Sequence, residues 1–294
     1  MTGPACSCCP IRGMSARPAS SPGSASRRWP RPAPVFAASA GVADYNITRN
    51  LKLAHVCALA AATPLPLTAD LENGFGDSPE TCAETIRLGA EAGLVGGSIE
   101  DFTGDAGNPQ YAIAEAAEHV RAAVEAANAL PFPFLVTARV ENFFTGVPDL
   151  SDVIARLQAY QEAGAHVLYA PGLKTMEDIK TMLASVDRPV NVLMGPRSGF
   201  VPMAELADLG VKRVSMGSAL ANTAYGALVH AGEELMATGT LGFLKGAVTG
   251  KALADLMAKG GRQLAVIRRH ILEQVRRQFR VQARMGAPSV GLGL

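Results

Sequence analysis

The chain has 294 residues, 48% of them hydrophobic, enough for one large domain core with extensions. A net charge of +1 gives no reason to expect a nucleic-acid partner; with no apolar run of about 18 residues and no signal-peptide core, the chain is expected to be cytoplasmic, with no membrane partner. Of five cysteines, Cys6, Cys8 and Cys9 crowd the start with no Cys/His pair nearby to complete a zinc site, and Cys57 and Cys82 fall in helix-like segments, so neither a disulfide framework nor a zinc centre is expected.

Residues 1–43 hold five Arg and no acid, and 259–294 hold eight Lys or Arg against one Glu. Taking these +5 and +7 from the total leaves −11 for the middle, so an acidic core carries two basic ends that form separate physical units. Residues 1–34 are dominated by Pro, Ser and Arg without helical or strand period, and are expected to be disordered. From Val35 onward, short apolar runs that end in Gly alternate with Ala-rich helical stretches. Strand candidates are 35–39, 66–72, 94–100, 134–140, 166–170, 189–194 and 212–216; helices are predicted over 79–92, 110–129, 150–163, 175–185, 202–209 and 218–238. Ser78-Pro79 and Asp149 to Asp152 supply caps and acids at helix starts. This alternation predicts an α/β fold, a (β/α)8 TIM-type barrel over 35–258, with seven strands in sight where closure wants eight. In the tail from Arg262 to Arg284, Leu264, Ile267, Ile271, Val275, Phe279 and Val281 recur at near-helical spacing with Arg on the other faces. Such a basic helix packs on a partner subunit, is solvated, or lies on an anionic surface.

The strand ends carry the chemistry. Pro66 to Gly76, PLTADLENGFG, ends an apolar run in Asp70 and Glu72, which at spacing i, i+2 on a strand face one side, and Asn73-Gly74 then turns the chain. Glu100 ends the run GLVGGSIED. A single acid after a strand can equally cap the next helix, but three in the same context suit a hard divalent cation such as Mg2+, which takes oxygen ligands and keeps several waters. Arg139, in FLVTARVEN, places a guanidinium at a strand end, where it meets an anion: a substrate carboxylate or phosphonate, an internal partner such as Glu141 or Glu100, or both. Asn191 either reaches a ligand through its amide or satisfies backbone. His119 and His166 are read as structural.

The stretches TADLENGFG, GGSIED, FLVTARVEN, AGAHVLYAPGL and PVNVLMG, in this order, resemble the isocitrate lyase/phosphoenolpyruvate mutase superfamily of Mg-dependent barrel enzymes, from about Val35 to about Met257. The resemblance implies that Asp70, Glu72 and Glu100 hold Mg2+ directly or through water and that Arg139 contacts substrate. FAASAGVAD resembles the family's loop whose backbone amides grip a carboxylate, which puts Ser39, Ala40, Gly41 and Val42 at the site; without the family, Ala-Gly there reads as a tight turn. The family's next loop carries a functional Asp; VADYNITRN is short, so Asp44 either replaces that acid or the acid is lost. FTGDAGNPQY, at 102–111, stands where the family has its gating loop but lacks the Lys-Lys-Cys-Gly-His string of true isocitrate and methylisocitrate lyases, which argues against both activities and leaves Asn108 a candidate contact. Gly242 to Ala258 resembles the helix exchanged between subunits, implying a homodimer or tetramer. Regrouping the codons of Cys9 to Pro32 by one frame can yield LPNPWDVGSARFLARLGFAALAA, similar to the family's first strand and helix. Residues 1–34 are therefore expected to be a frameshift product or gene-model error in place of the first β/α unit.

The expected function is Mg-dependent making or breaking of a C–C or P–C bond of a 2-oxo acid or enolpyruvate-type substrate through an enolate. A catalytically inactive binding or oligomer subunit is the alternative. A Schiff-base aldolase is disfavoured, because Lys212 begins its strand and Lys174 lies in a loop.

Overall fold

The computed structural model describes residues 35–43, 45–63, 65–195 and 197–258, so the expectations for residues 1–34, Asp44 and the 259–294 tail lie outside the described residues. Two compact units are formed: one by the described residues up to Ala60 together with Leu67–Val229, the other by Ala61–Pro66 together with residues from His230 onward.

The first unit is built on six parallel strands, β1 (Leu67–Asp70), β2 (Leu94–Glu100), β3 (Leu135–Arg139), β4 (Val167–Tyr169), β5 (Val190–Leu193) and β6 (Arg213–Ser215), hydrogen-bonded in chain order. Among the described residues this is a half-barrel: β1 and β6 do not pair, and the full eight-unit barrel is not formed. Helices follow the strands because apolar residues recur at helical spacing and polar residues cap the starts. Ahead of α3 (Pro79–Glu91), Ser78 Oγ accepts from Thr81 N at 3.3 Å with Pro at the first helical position. Asp149 caps α6 (Leu150–Glu162), accepting from Ser151 N at 2.8 Å, and Thr175 caps α7 (Met176–Ala184). The inward faces of α3, α4 (Ile113–Asn128) and α6 bury Ile86, Val120, Val124, Val153 and Leu157 against Ile99, Val136 and Leu168 of the sheet. Gly97 in β2 lies so close to this layer that a Cβ there would stand 2.5 Å from Leu71 Cδ1.

The strand predicted at 35–39 is instead a helix, α1 (Val35–Ser39). A five-residue apolar run reads equally as either element, and here the helix stop decides: Gly41 has φ +67°, Val42 N donates to Ala37 O at 3.0 Å and Gly41 N to Ala38 O at 3.2 Å. This paired 6→1 and 5→2 closure ends a helix, not a strand. α2 (Arg49–Ala62) follows, and its buried positions are Lys52 and Val56, one turn apart.

Short helices α5 (Asn142–Thr145) and α8 (Met203–Asp208) complete the first unit. α9 (Ala219–Thr238) has no buried residue. In the second unit, Thr240 Oγ1 donates to Glu234 at 2.6 Å, a 3-10 turn covers Gly242–Gly246, and residues 250–258 are helical. No described helix is long and apolar enough to cross a membrane.

Candidate active site

Parallel pairing puts one row of polar residues across five strands, at the C-terminal ends of β2, β3 and β4 and the first half of β5 and β6. Glu100 pairs with Arg139, Arg139 with Tyr169, Tyr169 with Asn191, and Asn191 with Arg213. Residues in lateral register share a face of the sheet, so the row forms one wall. Arg139, Tyr169, Asn191 and Arg213 of this row line a cavity of about 1190 Å3 together with Asp70, Glu72, Ser98 and Lys52, while Glu100 lies behind the lining.

Arg139 is the hub. Its Nη1 lies 2.8 Å from Asp70 Oδ2 and 3.2 Å from Glu100 Oε2, and its Nε donates to Glu141 Oε1 at 2.6 Å. Both readings of Arg139 as an internally paired residue therefore hold together, with Asp70 as a third partner. Its guanidinium also stands 5.5 Å from the centroid of the Tyr169 ring, and among the described residues no hydrogen bond uses Nη2. Burial works against its charge, but Glu141, Glu100 and Asp70 outweigh that and hold it protonated.

One guanidinium thus serves three carboxylates, and they differ in exposure. The Asp70 side chain is 39% exposed, Glu100 1% and Glu141 0%. Burial pushes the Asp70 carboxyl up, but Arg139, Lys52, the Glu72 amide and Ser98 hold it below the usual range. Glu100 goes the other way: burial, with Glu141 and Asp70 nearby, pushes it well above the ordinary value despite Arg139 and a hydrogen bond from the Tyr45 hydroxyl.

Glu72 reaches the cavity by a different route from the one its spacing predicts. β1 stops at Asp70, whose Oδ1 accepts from Glu72 N at 3.1 Å, and Glu72 turns at φ +53°. An Asx turn, not strand alternation, directs it, while Glu100 N, donating to Glu72 O at 2.9 Å, ties the two acid-bearing ends together. Left-handed backbone at a non-glycine residue stores strain of the kind found at functional sites.

Asn191 is 1% exposed; its Nδ2 donates to Ser215 Oγ at 3.0 Å, and its Oδ1 has no hydrogen-bond partner. Ser39, Ala40, Gly41 and Val42 are not brought to the cavity: the amides of Ala40, Gly41 and Val42 all donate to carbonyls of α1, and Ser39 Oγ bonds Phe36 O. A helix end consumes the donors that a carboxylate grip would need. Asn108 is exposed and outside the cavity. Sequence reasoning missed Tyr45, Tyr169 and Lys52, whose roles depend on contacts across the fold.

Oxygen donors in excess around a single guanidinium are the chemistry a hard divalent ion takes. Among the described residues no three acids converge closely enough to chelate one as they stand. The fit is therefore to an ion held by one or two carboxylates with water completing its shell, the ordinary habit of Mg2+.

Residues 34–236 match the phosphoenolpyruvate phosphomutase family, and the chain belongs to that family, within the isocitrate lyase/phosphoenolpyruvate mutase superfamily. Its homologues are carbon–carbon or phosphorus–carbon lyases and mutases. A solved structure of a provisionally named lyase/mutase from Burkholderia cenocepacia J2315 is 53% identical, covering 77% of this chain and 81% of that one, with a TM-score of 0.74. A Corynebacterium glutamicum protein provisionally named 2-methylisocitrate lyase 2 is 27% identical over 70% of this chain and 68% of its own length. A phosphonopyruvate hydrolase solved with oxalate and Mg2+ is 25% identical, with a TM-score of 0.65 over 80% of this chain and 84% of that one.

Proposed function

We propose that this chain is a Mg2+-dependent lyase or mutase-type enzyme that makes or breaks a C–C or P–C bond of a 2-oxo acid or enolpyruvate-type substrate through an enolate. The observation that carries the reading is the row of strand ends in which Arg139 joins Asp70, Glu100 and Glu141 beside an open cavity. Asp70, Glu72 and Glu100 would hold Mg2+, directly or through water, with Asp70 the most exposed of the three carboxylates bound to Arg139. A Mg2+ held there would supply Lewis acidity to developing negative charge on a substrate oxygen. Arg139 Nη2 donates to the substrate carboxylate while its other nitrogens stay fixed by Asp70, Glu100 and Glu141, so the guanidinium is oriented before substrate arrives. Asn191 Oδ1 accepts from a substrate hydroxyl or an ordered water. Relatives named as a 2-methylisocitrate lyase and a phosphonopyruvate hydrolase support this reading, and the alternative of an inactive subunit gains no support from them.

Assembly with further copies of the same chain belongs to the same proposal. α9 exposes Leu228 at 69% and Met236 at 87%, more apolar surface than a solitary helix usually leaves in water. A homodimer or tetramer formed by helix exchange covers it.

The test is metal-dependent stabilisation followed by a substrate screen. Mg2+ raises the Tm of the wild type, and Asp70→Ala or Glu72→Ala removes that rise with the metal-free Tm little changed. A full Mg2+ response in both variants sinks the metal assignment. Oxaloacetate, phosphonopyruvate and 2,3-disubstituted malates, each with Mg2+, then sort the reaction.

A further inference from the structure

The turn that carries Glu72 enters left-handed backbone repeatedly, with Glu72 at φ +53°, Gly74 at +88° and Phe75 at +63°. Glycine takes such backbone freely, whereas at Glu72 and Phe75 it is strained and persists only where the surroundings hold it. Part of that hold is local: Gly74 N donates to Leu71 O at 2.9 Å, Phe75 N to Asn73 Oδ1 at 3.1 Å, and Thr85 Oγ1 of α3 to Gly74 O at 2.7 Å. A further hold comes from Tyr111, 38 positions beyond Asn73. Its hydroxyl accepts from Asn73 Nδ2 at 3.0 Å and donates to Asp77 Oδ1 at 2.5 Å, so one oxygen ties both sides of the turn.

Tyr111 is itself fixed. It is 5% exposed, its N donates to Asp101 O at 3.0 Å, its carbonyl accepts from Arg156 Nη1 at 2.9 Å, and its ring meets His119 edge to face with centroids 4.7 Å apart. The packing needs only the ring; the hydroxyl is spent on the turn. Asn73 is the next residue after Glu72, and with Nδ2 on Tyr111 its Oδ1 faces Phe75 N. Freeing Nδ2 lets that amide rotate and loosens the peptide beside Glu72.

We propose that Tyr111 is a positioning residue: through Asn73 and Asp77 its hydroxyl fixes the left-handed turn that aims Glu72 into the cavity, and it governs metal affinity more than stability. The inference rests on the Mg2+ reading of Glu72 and adds what orients that carboxylate. Tyr111 does not line the cavity, so it acts through the turn and not by touching a ligand.

The experiment is calorimetric Mg2+ titration of the full chain and of Tyr111→Phe, which keeps the ring and deletes the hydroxyl. Mg2+ should bind about tenfold more weakly to the variant, the ordinary effect of losing a group that orients a metal ligand. Asp77 is exposed and Asn73 half-buried, so water can meet both freed groups, and the metal-free Tm should fall by no more than about 4 °C. Asn73→Ala should weaken Mg2+ binding at least as much, and adding Tyr111→Phe to it should weaken it no further, because the two act along one path. Mg2+ affinity of Tyr111→Phe within about twofold of the wild type, or losses that add in the double variant, overturns the proposal. Amide exchange of the metal-free protein separates this from the metal reading: at Phe75 it should speed up about tenfold in Tyr111→Phe while β4 and β5 keep wild-type rates. Faster exchange at Phe75 in a chain that Mg2+ does not bind supports Tyr111 and sinks the metal reading instead, whereas unchanged exchange there overturns the proposal.

Discussion

Two arginine-centred networks sit on either side of the end of β2, and they are finished differently. On one side Glu100 meets Arg139; on the other its neighbour Asp101, 2% exposed, meets Arg156. Asp101 is saturated by neutral and charged donors: Glu141 N at 2.8 Å, Tyr160 OH at 2.8 Å, Arg156 Nη1 at 3.0 Å and Gln110 Nε2 at 3.3 Å. Arg156 in turn reaches Asp152 at 2.7 Å and the Tyr111 carbonyl at 2.9 Å. Burial pushes Asp101 up, and Arg156, Tyr160 and the other donors work against it. The Arg139 side has three carboxylates for one guanidinium and few neutral donors, and it opens on a cavity. A structural network closes its hydrogen-bond account internally; the other leaves charge and donors for a ligand to complete.

The sharpest way to break the comparison is Arg156→Met. It strands Asp101 in the interior and should cost about 3–5 kcal/mol, read as a lowered midpoint in urea with or without Mg2+; a loss below about 1 kcal/mol would mean that the network is not structural. Glu100→Gln should act in the opposite direction. Because the folded Glu100 holds its proton above the ordinary glutamate range, the metal-free native state binds more protons than the unfolded chain, and stability falls as pH rises from that range toward the raised folded value. The amide removes this loss, so at pH 8 the metal-free Tm should rise by about 2–4 °C, roughly 1 kcal/mol, while the Mg2+ response shrinks. A wild-type pH profile identical to that of Glu100→Gln would show that the carboxylate excess carries no strain. Smallest is Ser98→Ala: its contact to Asp70 is long, at 3.4 Å, and the change should stay within about 0.5 kcal/mol by thermal melting.

Local pattern was enough to find the six parallel strands and the acids, but not the full eight-unit barrel that was expected of them. β2 spans 94–100 as predicted, and every strand predicted from 66 onward contains an observed one, because period-two apolar runs bounded by Gly and Asn leave little choice. Asp70, Glu100 and Arg139 were legible since charged residues ending apolar strands need partners. Residues 35–39 were not, because five apolar residues carry no period and only the bonds of Gly41 and Val42 reveal the helix. Nor was the link between Asp101 and Arg156, 55 positions apart, or the burial of Lys52, which depends on which face of a weakly patterned helix turns inward. A single sequence encodes such long-range partners without displaying them.

In a sheet ordered β1 to β6, every ladder closes between consecutive strands, so each pairing spans one intervening helix, or two between β3 and β4. Assembly can then follow the order of synthesis, each β/α unit docking on the one before it, with no early strand waiting for a distant partner. The same neighbour-by-neighbour arrangement makes the half-barrel tolerant of change at its margins. Altering an end unit removes a single interface, whereas altering β3 severs two and takes Arg139 with it.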